Sequence, residues 1–161
     1  MNPMHVHIAV RDTLEGLHVN NTAILRLIKM TILAESNFDD FMPREDLEEN
    51  LYGLSRIEMA AFRNFVYDFI RHHPLRERIE EFCRVDLRNT SFKLLLRRLK
   101  YDLSFQIAVT YGIYASRFDA APDNNLQAIA GCYLKYWQQT GFDEDDVSDL
   151  IDSYEHNFVS R

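Results

Sequence analysis

Apolar residues return at every third or fourth position along most of this chain, the spacing that gathers side chains onto one face of an α-helix. Near the N-terminus Ile8, Leu14 and Leu17 follow it, and then Ile24, Leu25, Ile28, Ile32 and Leu33. Asn20 and Asn21 separate the two runs. One of them is expected to cap a helix ending near Ser36, because an Asn side-chain oxygen accepts from the free N–H groups of a first turn. Pro43 sits where a first helical turn tolerates it and predicts a short acidic helix through Leu47 and Leu51 to Gly53.

Ser55-Arg56-Ile57-Glu58 has the spacing of a capping box, in which hydroxyl and carboxylate each satisfy a backbone N–H. The helix behind it is expected to bury Ile57, Ala61, Phe65 and Phe69, with Phe62 and Val66 widening the stripe, and to end before Pro74. Pro74 opens another helix through Leu75, Ile79, Phe82 and Cys83. Thr90 or Ser91 caps a long helix whose inner face runs Phe92, Leu95, Leu96, Leu99, Leu103, Ile107, Tyr111 and Tyr114. A loop at 119–123 leads to a stripe of Leu126, Ile129, Ala130, Tyr133, Leu134 and Trp137, stopped by Gly141. The last helix carries Val147, Leu150, Ile151, Tyr154 and Phe158. Six or seven helices with no convincing strand, and only five Gly and four Pro to punctuate them, predict an all-α fold. The expected architecture is a compact bundle forming one domain over residues 1–161.

A hydrophobic fraction of 47% beside 27% charged residues excludes a disordered chain, and 12% aromatic residues predict a core built around large rings. No stretch approaches the roughly 18 apolar residues of a membrane span, and Met-Asn-Pro-Met-His lacks the basic and apolar regions of a secretory signal. Cys83 and Cys132 stand apart without paired spacing. They are expected to be buried free thiols, which makes the cytoplasm the expected location.

Charge changes the picture more than composition does. Residues 1–50 carry four Lys/Arg against nine Asp/Glu, residues 51–100 eleven against six, and residues 101–161 three against ten. A basic segment between two acidic ones either pairs with them internally or presents charge to partners.

Motifs for chemistry are missing. The chain has no nucleophile elbow, phosphate loop or dinucleotide fingerprint, so the expectation is a protein without catalytic residues or cofactor. His5-x-His7 and the adjacent His72 and His73 do not converge as zinc ligands must, and no metal site is expected. His72 and His73 suit a helix C-terminus instead. Cys83 has Arg84 beside it, which lowers a thiol pKa, but it also continues the apolar stripe from Ile79. Asp143-Glu144-Asp145-Asp146 lacks the alternation of a calcium loop and reads as an acidic helix start. A helix-turn-helix around Gly53-Leu54-Ser55 would place an acidic first helix against the DNA backbone.

The charged stripes remain. Lys93, Arg97 and Lys100 fall at i, i+4 and i+7 opposite the leucine face, Arg98 lies beside them, and Arg84 and Arg88 repeat the spacing. Asp145, Asp149 and Asp152 form the matching acidic stripe on the last helix. The plain alternative is that both are solvated helix faces, or that they pair with each other. The favoured function is a non-enzymatic protein-binding module, a small acidic adaptor, inhibitor or regulator using charge for orientation and aromatic anchors for affinity. The alternative is a nucleic-acid-binding regulator using the basic segment 84–100, with nucleic-acid mimicry by the acidic ends a third reading. Tyr101, Phe105, Tyr136 and Trp137 are candidates to extend past one chain's core into a homodimer.

Overall fold

The computed structural model describes residues 1–38, 51–140 and 143–159. The helix expected from Pro43 through Leu47 and Leu51 to Gly53 lies outside the described residues up to position 50, and its last residues are strand and turn rather than helix, while the stop at Gly141 lies outside the described residues. The chain is an all-α bundle with more than half of its residues in α-helix. Eight α-helices are described: α1 (Pro3–Gly16), α2 (Thr22–Ser36), α3 (Met59–Asn64), α4 (Leu75–Cys83), α5 (Phe92–Tyr101), α6 (Leu103–Arg117), α7 (Leu126–Cys132) and α8 (Glu144–Phe158). Two of them run on as π-helix, α3 through Phe65–Phe69 and α7 through Tyr133–Gln138. None is long and apolar enough to cross a membrane.

Side-chain caps set the starts of several helices, Asn21 and Ser91 among the positions the spacing predicts. Asn21 accepts from the Ile24 N–H at 3.1 Å, Ser91 from Leu94 and Asn125 from Ala128. Asp143 accepts from the Asp145 N–H at the start of α8, whose first turn is acidic throughout. The expected long helix from Phe92 to Tyr114 is in fact two. Asp102 ends α5 in an extended conformation, and its carboxylate accepts from the Phe105 N–H to start α6. The apolar spacing runs on across the break and hides it.

The expected capping box is also overturned. Leu51–Tyr52 (β1) and Ile57–Glu58 (β2) pair antiparallel in a short hairpin, so the segment contains strand and no helix-turn-helix. Gly53 at φ +72° and Arg56 at φ +48° make the turn, with the Arg56 N–H donating to the Gly53 carbonyl. Ser55 is buried and its hydroxyl bonds Thr110, while α3 starts at Met59 without a side-chain cap. Two side chains of α6 hold the hairpin. Gln106 accepts from the Leu54 N–H at 3.2 Å, and Thr110 meets Ser55 at 3.0 Å.

Helix α6 joins two clusters of apolar side chains. Ile107 and Tyr114 face the first, built with α1, α2, α7 and α8. Phe105, Ala108, Val109 and Ile113 face the second, built with α3, α4, α5 and the hairpin. A helix apolar on all sides belongs in the interior. Its buried polar groups are satisfied locally: the Thr110 hydroxyl donates to the Gln106 carbonyl, and the Tyr114 hydroxyl bonds Thr31 at 2.7 Å. Phe65 packs directly on Gly112, where an added Cβ would sit 2.3 Å from the ring. Ile8 and Phe82 are exposed rather than inward, and the Phe82 ring rests on Gly16. Phe105, expected at a dimer face, is fully buried.

Both cysteines are buried and free. Burial pushes the Cys83 thiol up to about 12 and Cys132 up to about 11, so neither is a thiolate near neutrality. Lys29 is the buried cation of the fold, 6% exposed on α2. Its ammonium lies 4.0 Å from the Phe158 ring centre and 5.3 Å from Tyr154, with no carboxylate paired to it among the described residues. Desolvation, and then Arg26 nearby, lower its pKa to about 8.

Two outcomes follow from this packing. Gly112→Ala should destabilise the fold by about 1–3 kcal/mol in denaturant titration, because the Phe65 ring has to move. The unfolded chain binds the Lys29 proton more tightly than the folded one, so stability from this group should rise as pH climbs from about 8 towards 10.5. Lys29→Met should abolish that rise and add about 1–3 kcal/mol at pH 7. Parallel melts of both proteins across this window would measure it.

Candidate functional site

The basic residues singled out by spacing lie on the outer side of α4 and α5, but they do different work. Leu95 and Leu99 bury the inner face of α5 against α6. Lys93 and Arg97 are exposed, and Lys100 is half-buried with its ammonium 5.3 Å from the Tyr52 ring centre. Arg84, in a left-handed conformation, closes α4, and Arg88 follows in the turn that Asp86 organises by accepting from the Arg88 and Asn89 N–H groups. Those bonds, with the Asn89 side chain, hold the Asp86 carboxyl below its ordinary value.

Arg98 is the structural member of the group. Its guanidinium donates to the Cys83 carbonyl, to the Arg84 carbonyl at 3.0 Å and to Asp102 at 2.9 Å. It satisfies the carbonyls left free at the end of α4 and ties them to the residue that separates α5 from α6. Arg84, Arg88, Lys93, Arg97 and Lys100 have no carboxylate partner among the described residues.

Three residues the spacing missed, with Phe92, which it placed on an inner face, extend this face. Arg63 lies 4.7 Å over the Phe92 ring, Phe92 stacks on Tyr67 at 5.8 Å, and Arg71 lies 5.6 Å over Tyr67. The result is a cation-ring-ring-cation ladder across α3, its π-helical extension and the start of α5. Arg63 and Tyr67 on the helix and Arg71 in the turn after it sit four apart, a signal present in the sequence but masked by the phenylalanines between them. Leu94 and Tyr101 stand out further along α5 at 54% and 56% exposure. With Arg97, Arg98 and Asp102 they line an open groove.

Asp145, Asp149 and Asp152 are exposed on α8, opposite the buried Val147 and Tyr154. No ion pair among the described residues joins them to the basic stripe. Helix α8 packs with the first apolar cluster and α5 with the second, so the two stripes belong to different parts of the bundle.

The histidines form no ligand set, and no group of three or more metal-binding side chains gathers among the described residues. His73 lies in the turn beyond the π-helix, accepting from the Leu75 N–H and stacked on Phe69 at 4.5 Å. Comparison with protein-family models, curated proteins and solved structures returns no match.

Arg98→Ala should lower stability by about 1–2 kcal/mol, since it strands the last carbonyls of α4 and Asp102. Arg97→Ala, one residue away, should change stability by less than about 0.5 kcal/mol. Denaturant melts of the two variants separate the structural arginine from the surface one.

Proposed function

We propose that this chain is a non-enzymatic protein-binding module, an adaptor, inhibitor or regulator that docks a partner on the outer face of α3, α4 and α5. One observation carries the reading. Arg63, Arg71, Arg84, Arg88, Lys93 and Arg97 lack a carboxylate partner among the described residues, and they share this side of the bundle with Tyr67, Phe92, Leu94 and Tyr101. A merely solvated helix face carries mixed charge and few large rings. Unpaired cations around exposed rings provide the two parts of a protein interface, aromatic and apolar anchors for affinity and a charged surround for orientation. The partner fitting this face is acidic, although the chain itself carries −7. Buried free thiols support work in a reducing compartment, the cytoplasm.

Nucleic acid is the second reading, favoured by the ladder, because arginine and tyrosine also stack on bases. Its mark is salt dependence. A phosphate binder loses affinity steeply with ionic strength, whereas an interface with apolar anchors retains part of it. A homodimer would use the same Leu94 and Tyr101 against a second copy.

The test is a double charge reversal, Lys93→Glu with Arg97→Glu, made without touching Arg98. Capture of the partner from nuclease-treated native extract should fall at least about tenfold, while the melting temperature stays within a few degrees. Leu94→Asp should act similarly, and light scattering should give a monomer mass. Capture unaffected by all three changes would sink the proposal. Loss of capture on nuclease treatment would transfer the face to nucleic acid, and a dimer mass that Leu94→Asp abolishes would transfer it to a second copy.

A further inference from the structure

A second region is built quite differently. Where the end of α2, the hairpin, the end of α6 and the π-helical extension of α7 meet, a cleft of about 210 Å³ opens between the two halves of the core. Its charged lining is Glu35, Arg56, Glu58 and Arg117, with Trp137 as its aromatic wall. Acids and guanidiniums therefore converge in one small space, unlike the single-sign face of α5.

The groups are not equivalent. Glu35 is half-buried, and its Oε1 already accepts from the Tyr133 hydroxyl at 2.7 Å and from the Gln138 amide. Those bonds fix the carboxylate in place and leave its second oxygen without a hydrogen bond among the described residues. Burial raises its pKa, and the like charge of Glu58 raises it further, while the two bonds and Arg56 pull it down. Arg117 donates to the Tyr136 carbonyl at 2.8 Å through one nitrogen and keeps donors to spare. Burial lowers its pKa, against the attraction of Glu58. Two carboxylates, with Arg56 drawing on Glu35 more strongly than Glu58 repels it, therefore stand near the partly dehydrated Arg117 guanidinium.

The backbone around the cleft carries matching signs of specialisation. Arg56 and Gln139, both lining it, adopt positive φ of 48° and 56° without being glycine. Trp137 and Gln138 reach it from a π-helical segment, a local geometry costlier than α-helix and concentrated at functional sites.

We infer that this cleft is a binding site for a small zwitterion of the α-amino acid class, its ammonium between Glu35 and Glu58, its carboxylate on Arg117 and its side chain against Trp137. The ammonium lies against the two carboxylates and supplies donors for the Glu35 oxygen that no described residue bonds. The carboxylate takes the remaining guanidinium donors in the fork geometry that arginine offers. A lone cation would leave Arg117 unsatisfied, and a lone anion would face both carboxylates. A ligand holding both charges a few ångströms apart meets the two carboxylates and Arg117 together. The cleft volume suits a molecule of about ten heavy atoms and excludes a folded chain.

Trp137 is the single tryptophan of the chain and lies in the lining, so its fluorescence reports occupancy directly. Glycine, L-leucine and L-phenylalanine would be titrated up to about 10 mM, beside isoamylamine and 4-methylpentanoate, each lacking one charge of leucine. Saturable change is expected with at least one amino acid, and affinity at least about tenfold weaker for the amine and the acid. Glu58→Gln, at an exposed position, should weaken binding similarly without altering the melting temperature. Arg117→Lys should weaken it too, tracked by circular dichroism to verify folding. No saturable response with any of the three amino acids overturns the inference. So does equal binding of leucine and its single-charge analogues, or unchanged affinity in Glu58→Gln.

Discussion

Helix α6 has to be covered on every side, and that requirement orders the rest of the molecule. Its residues from Phe105 through Thr110 are all buried, as are Gly112, Ile113 and Tyr114. Such a surface cannot face water on any side, so the chain has to supply helices around it, which it does as two clusters sharing one wall. The polar groups α6 brings inside are each answered nearby: Thr110 by Ser55, Gln106 by the Leu54 N–H, Tyr114 by Thr31. Two of these three answers come from the hairpin. The hairpin is thus a polar plug on a central helix, which is why two-residue strands suffice in a helical bundle.

The break at Asp102 has a similar logic. A straight helix from Phe92 to Arg117 would carry the apolar stripe of α5 along the same line as α6 and leave the second cluster open at one end. Ending α5 at Asp102 folds it back onto α6, and Arg98 locks the corner by reaching both Asp102 and the end of α4. Leu95 and Leu99 then bury one side of α5 while its outer side stays free. The charge blocks of the sequence therefore remain apart in space. The basic block lies around α4 and α5, the acidic stripe lies on α8 in the other cluster, and neither neutralises the other.

Helices were legible in the sequence wherever a 3.6-residue period was uninterrupted and a polar cap preceded it. Asn21 and Ser91 show this, and α2 ends at Ser36 as the spacing predicts. The hairpin was not legible, because the determinants of Ser55-to-Glu58 lie about fifty residues away in Gln106 and Thr110, and local spacing alone favours a cap. The break at Asp102 was hidden because Leu99, Leu103 and Ile107 keep the helical period across it. The basic stripe was visible as charge, yet nothing in its spacing separates Arg98 from Arg97. That division depends on the α4 carbonyls fifteen residues upstream. The cleft was invisible altogether, since its lining comes from five separate elements and the one motif that holds two of its charges, Ser55 to Glu58, reads as a helix cap.

The two π-helical segments link these features. Both lie against α6: Phe65 at the start of one packs on Gly112, and Trp137 in the other meets Tyr114 with ring centres 5.1 Å apart. An α-helix repeats its facing residues at fixed intervals, and a central helix surrounded by large rings does not leave gaps at those intervals. Widening one turn rotates the residues that follow and lets a ring find space without displacing the helix. In the first segment this rotation leaves Tyr67 and Arg71 outward, beside Phe92. In the second it brings Trp137 and Gln138 to the cleft, where Gln138 reaches Glu35. The same adjustment that lets α6 be covered by aromatic side chains thus sets the geometry of both the outer face and the inner cleft. Packing and recognition are coupled here through helix register, so substitutions in α6 should be felt at both surfaces.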